Sequence, residues 1–311
     1  MRQEKISIII PAYNEASNIN KLHQSLDEVL TNTQYQIEYI FVDDGSTDNS
    51  AQIIEALCSK NSNVFYIQLS RNFGHQSALK AGLDIAKGDC VVSMDCDLQH
   101  PPLVVLDLIK KWEEGYEVVY TRRKDTMKIS FIKRYTSQFF YFIHNQLSDF
   151  KLERGTADFR LMNRNVVYAF QHLQENEIFI RGLIPWAGFK QIAVEYESNQ
   201  RYSGESKYSF KKMISFAVKG LTSFSTKPLK IVVYVGLISF LLSMMLVPYV
   251  LISYLIGNAV SGWTSIMITI FIFGSLQLLM IGIIGLYVSK LVIQSKNRPL
   301  YFVRKTNYHS L

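Results

Sequence analysis

The chain has 311 residues, 48% of them hydrophobic, and a formal net charge of +7 at pH 7. Residues 201–311 hold twelve Lys and Arg against a single acid, Glu205, so the positive charge is confined to the last third of the chain. This distribution excludes the general basic character expected of a nucleic-acid-binding protein. The three cysteines have no metal-ligand spacing and are typical of reduced cytosolic thiols.

Short apolar runs alternate with helical patterns over residues 5–122. The predicted strands are Ser7–Ile10, Ile37–Val42, Val64–Leu69, Cys90–Met94 and Val118–Tyr120, and the predicted helices lie near 17–30, 47–60, 75–87 and 102–114. Strand–helix alternation at this spacing predicts an α/β fold with a mainly parallel sheet covered on both faces. The loops after the strands should then meet at one edge of the sheet, where such folds bind ligands.

Four polar loops follow the first four predicted strands. They are Pro11–Glu15, Asp43–Asp48, Arg71–Gln76 and Asp95–Gln99. The last loop places Asp95 and Asp97 one residue apart, and carboxylates of this kind suit a hard divalent cation that holds a nucleotide diphosphate. A solvated turn ahead of a helix that starts with proline would explain the same pair. The four polar loops together favour the cation site.

Two basic, aromatic-rich segments have the pattern of amphipathic helices, at residues 128–150 and 209–228. Helices of this kind can lie in the membrane interface. For residues 128–150, packing against the domain explains the pattern equally well. The position of residues 209–228, directly ahead of an apolar span, favours the interface.

No Asp, Glu, Lys, Arg or His occurs between Ile231 and Ser289. Two apolar stretches, about 231–256 and 264–289, each exceed the roughly 20 residues that a helix needs to cross a bilayer. We therefore predict a transmembrane hairpin over residues 229–289 in the cell membrane. Basic residues flank both ends, so the positive-inside rule predicts that the N-terminal domain (1–208), the basic tail (290–311) and both termini are cytoplasmic.

The ordered motifs resemble a known enzyme family. Pro11-Ala12-Tyr13-Asn14-Glu15, Asp43-Asp44-Gly45-Ser46-Thr47-Asp48, Arg71-Asn72-Phe73-Gly74 and Asp95-Cys96-Asp97-Leu98-Gln99 look like the motifs of family 2 glycosyltransferases, which have the GT-A fold. Ala157-Asp158-Phe159-Arg160-Leu161-Met162 and Arg201-Tyr202-Ser203-Gly204-Glu205-Ser206-Lys207-Tyr208, followed by two apolar spans, resemble the polyprenyl-phosphate glycosyltransferases. These include bacterial undecaprenyl-phosphate glucosyltransferases and, more distantly, dolichyl-phosphate mannose synthase.

The resemblance implies roles for individual residues. The nucleotide-binding candidates are Pro11, Tyr13, Glu15, Asp43, Asp44, Arg71 and Asp95, the ligands of Mg²⁺ or Mn²⁺ are Asp95, Asp97 and Gln99, and the catalytic candidates are Asp158, Arg123, Arg201 and Lys207. The cation would neutralise the departing diphosphate. The basic residues would hold the acceptor phosphate. Asp158, at the family's acid/base position, would orient the acceptor or stabilise the oxocarbenium-like centre, with a base role left open.

The sequence does not assign a site role to three further residues. Arg122 is as consistent with a solvated side chain as with a phosphate ligand. His75 and His100 have metal-ligand chemistry but no partner at a suitable spacing, so structural roles are favoured for both.

The expected reaction is an inverting transfer of a hexose from a nucleotide sugar to a polyprenyl phosphate such as undecaprenyl phosphate, in cell-envelope glycosylation. UDP-glucose is favoured as donor over UDP-N-acetylglucosamine and GDP-mannose, and homo-oligomers are expected because relatives form them. A processive polysaccharide synthase is disfavoured because the chain lacks a Gln-x-x-Arg-Trp motif and has only two apolar spans. The complete set of motifs disfavours a silent scaffold or a lipid-transport component.

Overall fold

The computed structural model describes residues 3–124, 156–173, 175, 180–197, 227–256 and 262–308. The amphipathic segment predicted at 128–150 lies outside these residues, as do Arg201, Lys207 and positions 209–226 of the second segment. The chain forms two compact units. The first contains a sheet with its covering helices, and the second contains two long helices.

Over the described residues the first unit contains eight strands and six helices. The strands are β1 (Lys5–Ala12), β2 (Gln36–Asp43), β3 (Val64–Leu69), β4 (Cys90–Ser93), β5 (Val118–Arg123), β6 (Thr156–Asn163), β7 (Gln191–Tyr196) and β8 (Val303–Thr306). The helices are α1 (Ile19–Leu30), α2 (Ser50–Lys60), α3 (His75–Ile85), α4 (Val104–Glu113), α5 (Arg164–Gln171) and α6 (Ile180–Ala187). The strands form one sheet in the order β7-β5-β6-β4-β1-β2-β3-β8.

The predicted α/β fold with a mainly parallel sheet is confirmed. All five predicted strands form, and β4, β1, β2 and β3 pair in parallel. Ile8, Ile9 and Ile10 of β1 are all fully buried. Burial of consecutive residues shows that both faces of this central strand are covered, which is why its sequence is a continuous apolar run and does not alternate.

Strand β6 was not predicted, and it runs antiparallel between β4 and β5. Its register pairs Ser93 of β4 with Arg160. In an antiparallel pair, when residue i of one strand faces residue j of the other, residue i+2 faces residue j−2. The same register therefore carries Asp158 to the position opposite Asp95, just beyond the end of β4.

The second unit contains α7 (Lys227–Leu255) and α8 (Trp263–Ser295). Both predicted apolar spans are therefore helical over the residues that the structure describes. Within that part of the chain, Ile272–Ser295 is long and apolar enough to cross a membrane, and its most apolar window is not buried. This segment indicates membrane association, whereas the two-span topology and the cytoplasmic orientation of both ends stay predictions.

The C-terminal tail contains a strand that the sequence did not predict. Strand β8 pairs antiparallel with β3 and groups with the first unit, although it follows the two long helices in the chain. Its four residues, Val-Arg-Lys-Thr, are too few and too polar to stand out as a strand. By pairing with β3, they cover a sheet edge that would otherwise expose unpaired backbone groups.

A buried histidine predicts that the fold is less stable in acid. His23 on α1 is 8% exposed, and among the described residues its Nε2 has no hydrogen-bond partner. Burial lowers the pKa of His23 below 6.5, against a smaller raising effect of Asp27. Since the folded pKa is depressed, the unfolded chain binds the proton more readily, and stability falls as the pH drops below 6.5 towards the folded value.

The His23→Phe variant is expected to reduce this acid sensitivity because a phenyl ring keeps the packing against Tyr39 and cannot be protonated. The measurement is thermal unfolding of variant and wild type at about pH 5 and about pH 7.5. The variant should gain stability relative to wild type at the lower pH only. An equal difference at both pH values would exclude the titration of His23 as the cause.

Candidate active site

The loops after β1 and β2 are joined by hydrogen bonds at the carboxyl edge of the sheet. The amide of Asn14 donates to Ser46 Oγ at 3.0 Å, and Thr47 N donates to Asn14 Oδ1 at 2.8 Å. The amide of Glu15 donates to Ser50 Oγ at 2.9 Å. The two predicted nucleotide loops therefore form one continuous surface, which places Pro11, Tyr13 and Glu15 beside the Asp43–Asp48 loop.

Asp44 fixes the third loop to the second. Its two carboxylate oxygens accept hydrogen bonds from Phe73 N at 2.7 Å and Gly74 N at 2.9 Å. Burial raises the pKa of Asp44, although these two donors oppose the change. A Cβ on Gly45, whose φ is +68°, would lie 2.4 Å from the carbonyl carbon of Arg71, so glycine is required where the two loops meet.

Asp43 has a carboxylate oxygen that is not satisfied within the described part of the protein. It is 1% exposed, and its Oδ1 accepts a hydrogen bond from Ser46 N at 3.1 Å, whereas Oδ2 has no partner there. A buried acceptor without a partner is unfavourable, and a donor on a bound ligand would satisfy it. Of the two neighbouring aspartates, Asp43 is thus the better ligand contact, and Asp44 is better suited to positioning the loop.

Arg71 and Tyr13 lie at the outer side of this surface. The guanidinium of Arg71 lies 4.0 Å from the centre of the Phe73 ring and donates to Asn72 O at 2.9 Å. Tyr13 is 40% exposed. Both side chains are accessible from solvent, as their predicted nucleotide contacts require.

The loop after β4 carries the predicted metal ligands. Asp97 Oδ1 accepts a hydrogen bond from Gln99 N at 3.1 Å, and Leu98 between them has a φ of +62°. The side-chain oxygen of Gln99 accepts from Arg123 Nη1 at 3.4 Å. Two of the predicted groups, the metal ligand Gln99 and the phosphate ligand Arg123, are therefore in contact with each other.

Asp95 lies between two histidines. Its Oδ2 is 3.1 Å from His100 Nε2, and its Oδ1 is 3.4 Å from His75 Nε2. Burial alone would raise the pKa of Asp95, but the hydrogen bond from His100 and the charge of His75 lower it below the usual value. Asp95 is therefore ionised, with a hydrogen bond to His100 on one carboxylate oxygen and an ion-pair contact to His75 on the other.

His100 connects Asp95 to Tyr196, since its Nδ1 is 2.8 Å from the tyrosine hydroxyl. An ionised Asp95 requires a proton on His100 Nε2, and in the neutral tautomer that carries this proton Nδ1 accepts from Tyr196. Burial raises the pKa of Tyr196 to about 12, so its hydroxyl stays protonated and can donate. This series of contacts fixes the orientation of Asp95.

Asp158 is 3% exposed and is surrounded by positive or hydrogen-bond-donating groups. Arg181 binds it through two atoms, with Nε 2.8 Å from Oδ1 and Nη2 2.7 Å from Oδ2. Gln76 Nε2 donates to Oδ2 at 3.0 Å, and Arg160 Nη2 is 3.5 Å from Oδ1. Although burial would raise the pKa of Asp158, Arg181 and His75 hold it well below its usual range. Such a carboxylate is a poor general base.

His75 links the two carboxylates, because its Nε2 is 3.4 Å both from Asp95 Oδ1 and from Asp158 Oδ2. Burial would lower the pKa of His75, but the hydrogen bond to Asp158 and the charge of Asp95 outweigh it and raise the pKa to about 9. At neutral pH the ring is therefore an imidazolium between two carboxylates. The sequence favoured structural roles for His75 and His100, whereas both contact Asp95 in the structure.

Arg181 is the site residue that the sequence analysis missed. Arg181 lies on α6, outside every motif that the sequence analysis identified. It is 23 positions from Asp158 in the chain, and a separation of this size gives no indication of contact. Arg122, which the sequence left undecided, forms an exposed ion pair with Glu195. That contact favours the surface role for Arg122. Arg201 and Lys207 lie outside the described residues, and their roles stay predictions.

The donor chemistry of this site suits a divalent cation. No group of three or more His, Cys, Asp or Glu is arranged to hold a metal within the described ranges. A Mg²⁺ or Mn²⁺ ion needs only one or two carboxylates when a diphosphate and water provide the other oxygen ligands. Asp95 and Asp97 provide two carboxylates of this kind, so the residues present fit such an ion.

Comparison with known proteins identifies close relatives over the full chain. Residues 7–170 match the family Glycosyl transferase family 2. The chain is 40% identical to the uncharacterized glycosyltransferase YkcC of Bacillus subtilis, over 98% of this chain and 95% of that protein. It is 38% identical to the SfII prophage-derived bactoprenol glucosyl transferase of Shigella flexneri, over 97% and 98%. Among solved structures, the mannosyltransferase PcManGT of Pyrobaculum calidifontis in complex with GDP-Man and Mn²⁺ aligns with 72% of this chain and 64% of its own, at 15% identity and a TM-score of 0.49.

Proposed function

Because the chain belongs to glycosyltransferase family 2 and has the GT-A fold, we propose that it transfers glucose from a nucleotide sugar to a polyprenyl phosphate. The observation that carries the proposal is the 38% identity to a bactoprenol glucosyl transferase over nearly the whole of both chains. The arrangement of charged side chains around Asp95 and Asp158 supports it, because both the donor and the acceptor of this reaction are phosphates.

The donor would bind at the loops after β1, β2 and β3. Asp43 Oδ2, which has no hydrogen-bond partner among the described residues, suits a donor group on the base or the ribose, and Tyr13 is accessible from solvent. We favour UDP-glucose as donor. Asp95 and Asp97 would hold Mg²⁺ or Mn²⁺, and the bound cation would neutralise negative charge on the departing diphosphate.

The acceptor phosphate needs binding more than it needs a base. A phosphate monoester is largely anionic at neutral pH and can attack the anomeric carbon directly, with inversion. Asp158, whose pKa is held well below its usual range, is suited to another task. It holds Arg181 by two hydrogen bonds and His75 by a third contact, so that two cationic groups stay beside the reacting phosphates.

Arg181 thus joins Arg123, Arg201 and Lys207 as a candidate phosphate ligand. Its side chain is 32% exposed, which leaves it accessible to a bound phosphate while Asp158 keeps its orientation fixed. A guanidinium held in this way loses little conformational freedom when it binds a phosphate.

We also propose how the protein is attached to the membrane. The helices α7 and α8 would form a two-span hairpin, with the sheet domain and both termini in the cytoplasm, where the nucleotide sugar is made available. The segment at 209–228, which the sequence favours as an interface helix, would bring the domain to its lipid acceptor. Assembly into homo-oligomers is part of this proposal.

The test is incubation of membranes that contain the protein with labelled UDP-glucose, UDP-N-acetylglucosamine or GDP-mannose, with added undecaprenyl phosphate. We expect label in a lipid that carries a single hexose, from UDP-glucose in preference to the others, and no transfer with EDTA. Membranes without the protein are the control. Absence of labelled lipid with every donor would overturn the proposal, and transfer that persists in EDTA would overturn the metal requirement. A polymeric product would indicate a polysaccharide synthase.

A further inference from the structure

The C-terminal segment contacts the loop that follows β3. The amide of Ser70 donates to Phe302 O at 2.8 Å, and Arg304 Nη2 donates back to Ser70 O at 3.3 Å. The Phe302 ring lies 6.2 Å from that of Phe73, between ring centres. Residues 302–304 therefore contact residues 70–73 through two hydrogen bonds and one aromatic contact, and the Arg304–Ser70 pair is 234 positions apart in the sequence.

Other contacts fix the tail on both sides of these residues. The hydroxyl of Tyr301 donates to Asp84 Oδ2 at 2.7 Å. Further along, Tyr66 N donates to Asn307 Oδ1 at 2.8 Å, and the Tyr308 ring packs edge-on against Phe65 at 4.8 Å. Because these anchors do not involve Phe302 or Arg304, removal of either side chain should leave the tail in its place.

The backbone around this loop is irregular, and two other segments of the protein contact it. The β3–β8 ladder has a register shift at Gln68 and Leu69, just before the loop, and Gly74 at its end has a φ of +97°. Asp44 holds one side of the loop through the amides of Phe73 and Gly74. The tail supplies a second contact surface, at Ser70 and the Phe73 ring.

The residues that directly follow this loop lie in the active site. His75 is the first residue of α3, and its Nε2 is 3.4 Å from both Asp95 and Asp158. Gln76 donates to Asp158 at 3.0 Å. A shift of the loop would move His75 and Gln76 relative to Asp158, because these two residues directly follow the loop in the chain.

We propose that Phe302 and Arg304 are positioning residues for the transfer reaction. They hold the loop of residues 70–74 so that His75 and Gln76 stay on Asp158, and they touch no reacting group themselves. The tail that follows the last long helix thereby completes the active site of the sheet domain. This inference rests on the proposed glucosyl transfer, and its structural part can be measured without it.

The experiment compares Phe302→Ala and Arg304→Ala with Lys305→Ala in the full-length protein. Lys305 is a matched control, because it follows Arg304 on β8 and its Nζ pairs with Glu55 at 2.8 Å, away from the loop. For Phe302→Ala we expect a fall in kcat of about 10- to 100-fold, since a displacement of about 1 Å can have such an effect. Phe302→Tyr should restore kcat because it keeps the ring.

Hydrogen exchange of the amides of residues 70–76 provides a readout that does not depend on activity. Exchange should accelerate in Phe302→Ala and Arg304→Ala and stay at the wild-type rate in Lys305→Ala, with the thermal unfolding temperature of all three close to wild type. Wild-type kcat and wild-type exchange in Phe302→Ala would overturn the inference. Equal losses of kcat and stability in Lys305→Ala would show that the tail stabilises the domain in general, and this result would also overturn the inference. If the wild type itself transfers no glucose, the proposed function fails, while exchange still decides whether the tail holds the loop.

Discussion

Substitution of Asp158 by Asn is expected to reduce glucosyl transfer by about a thousandfold, because loss of a preorganised charge in an active site has effects of this size. Asparagine keeps the shape of the side chain and removes the charge that Arg181 and His75 contact. Those cationic groups then lose the partner that orients them. Binding of the base and ribose should change little, because Tyr13 and Asp43 lie on the loops after β1 and β2 and do not contact Asp158 in the structure.

The same substitution leaves Arg160, which is 2% exposed, without its acidic partner. Breaking a buried pair in this way costs about 3–5 kcal/mol, so thermal unfolding must accompany the activity measurement. Arg181→Gln is the matched variant, because Arg181 is 32% exposed and Asp158 then keeps His75 and Arg160 as charged neighbours. We expect it to fold normally and to reduce kcat by about a hundredfold.

The double variant of Asp158 and Arg181 tests whether these two residues act together or independently. If Asp158 acts by holding Arg181, then Asp158→Asn combined with Arg181→Gln should be no less active than Asp158→Asn alone, since residues that act as a unit are not additive. Full activity in Asp158→Asn would refute a role for this carboxylate. An inactive Asp158→Asn together with a fully active Arg181→Gln would exclude Arg181 as the group through which Asp158 acts, and would leave His75 or the substrate itself.

The second large effect is expected for Asp97→Ala. The variant removes one of two carboxylates that would hold the cation, and stabilisation of the leaving diphosphate by such an ion is worth several kcal/mol. Transfer should therefore fall by about 100- to 1000-fold, at about 1.4 kcal/mol per factor of ten. Asp97 is only half-buried, so the fold should be preserved. The measurement is transfer of labelled glucose to the lipid with a graded supply of Mg²⁺ or Mn²⁺.

Two controls accompany this variant. Asp107→Ala removes an exposed carboxylate from α4 and should behave as wild type. Gln99→Ala should have a weaker effect than Asp97→Ala, because the side-chain oxygen of Gln99 contacts Arg123. Unchanged activity in Asp97→Ala would remove Asp97 from the metal site. Equal losses in Asp97→Ala and Gln99→Ala would restore Gln99 as a ligand of the same importance.

Local patterns were enough to predict the part of the fold that surrounds the nucleotide loops. The first five strands are apolar runs with helical patterns between them, and their order along the chain implies parallel pairing. Parallel strands end at the same edge of a sheet, so the polar loops around Asp43, Arg71 and Asp95 were expected to meet there, and they do. The sequence also predicted the two long apolar helices, because the length of a segment and its lack of charge are properties of that segment alone.

The active-site contacts depended on which distant segments meet. The antiparallel insertion of β6 brings Asp158 opposite Asp95, and its contact with Gln76 joins residues 82 positions apart. Neither Arg181 nor the tail strand β8 belongs to a local pattern that marks it as part of the site. Only the structure distinguishes the neighbouring aspartates Asp43 and Asp44. Asp44 accepts hydrogen bonds from two amides, whereas Asp43 has one buried oxygen without a partner among the described residues.

The amino-acid sequence by itself thus determined the class of fold, the family of enzyme and the loops that meet at the candidate site. These follow from periodicity, composition and motif order, which are local properties of the chain. The tertiary structure decided that His75 and Arg181 accompany Asp158 and that the C-terminal tail contacts the loop ahead of His75. The physical reason is that the pKa and orientation of a side chain are set by the charges and donors within a few ångströms of it, and these come from segments whose proximity only folding creates.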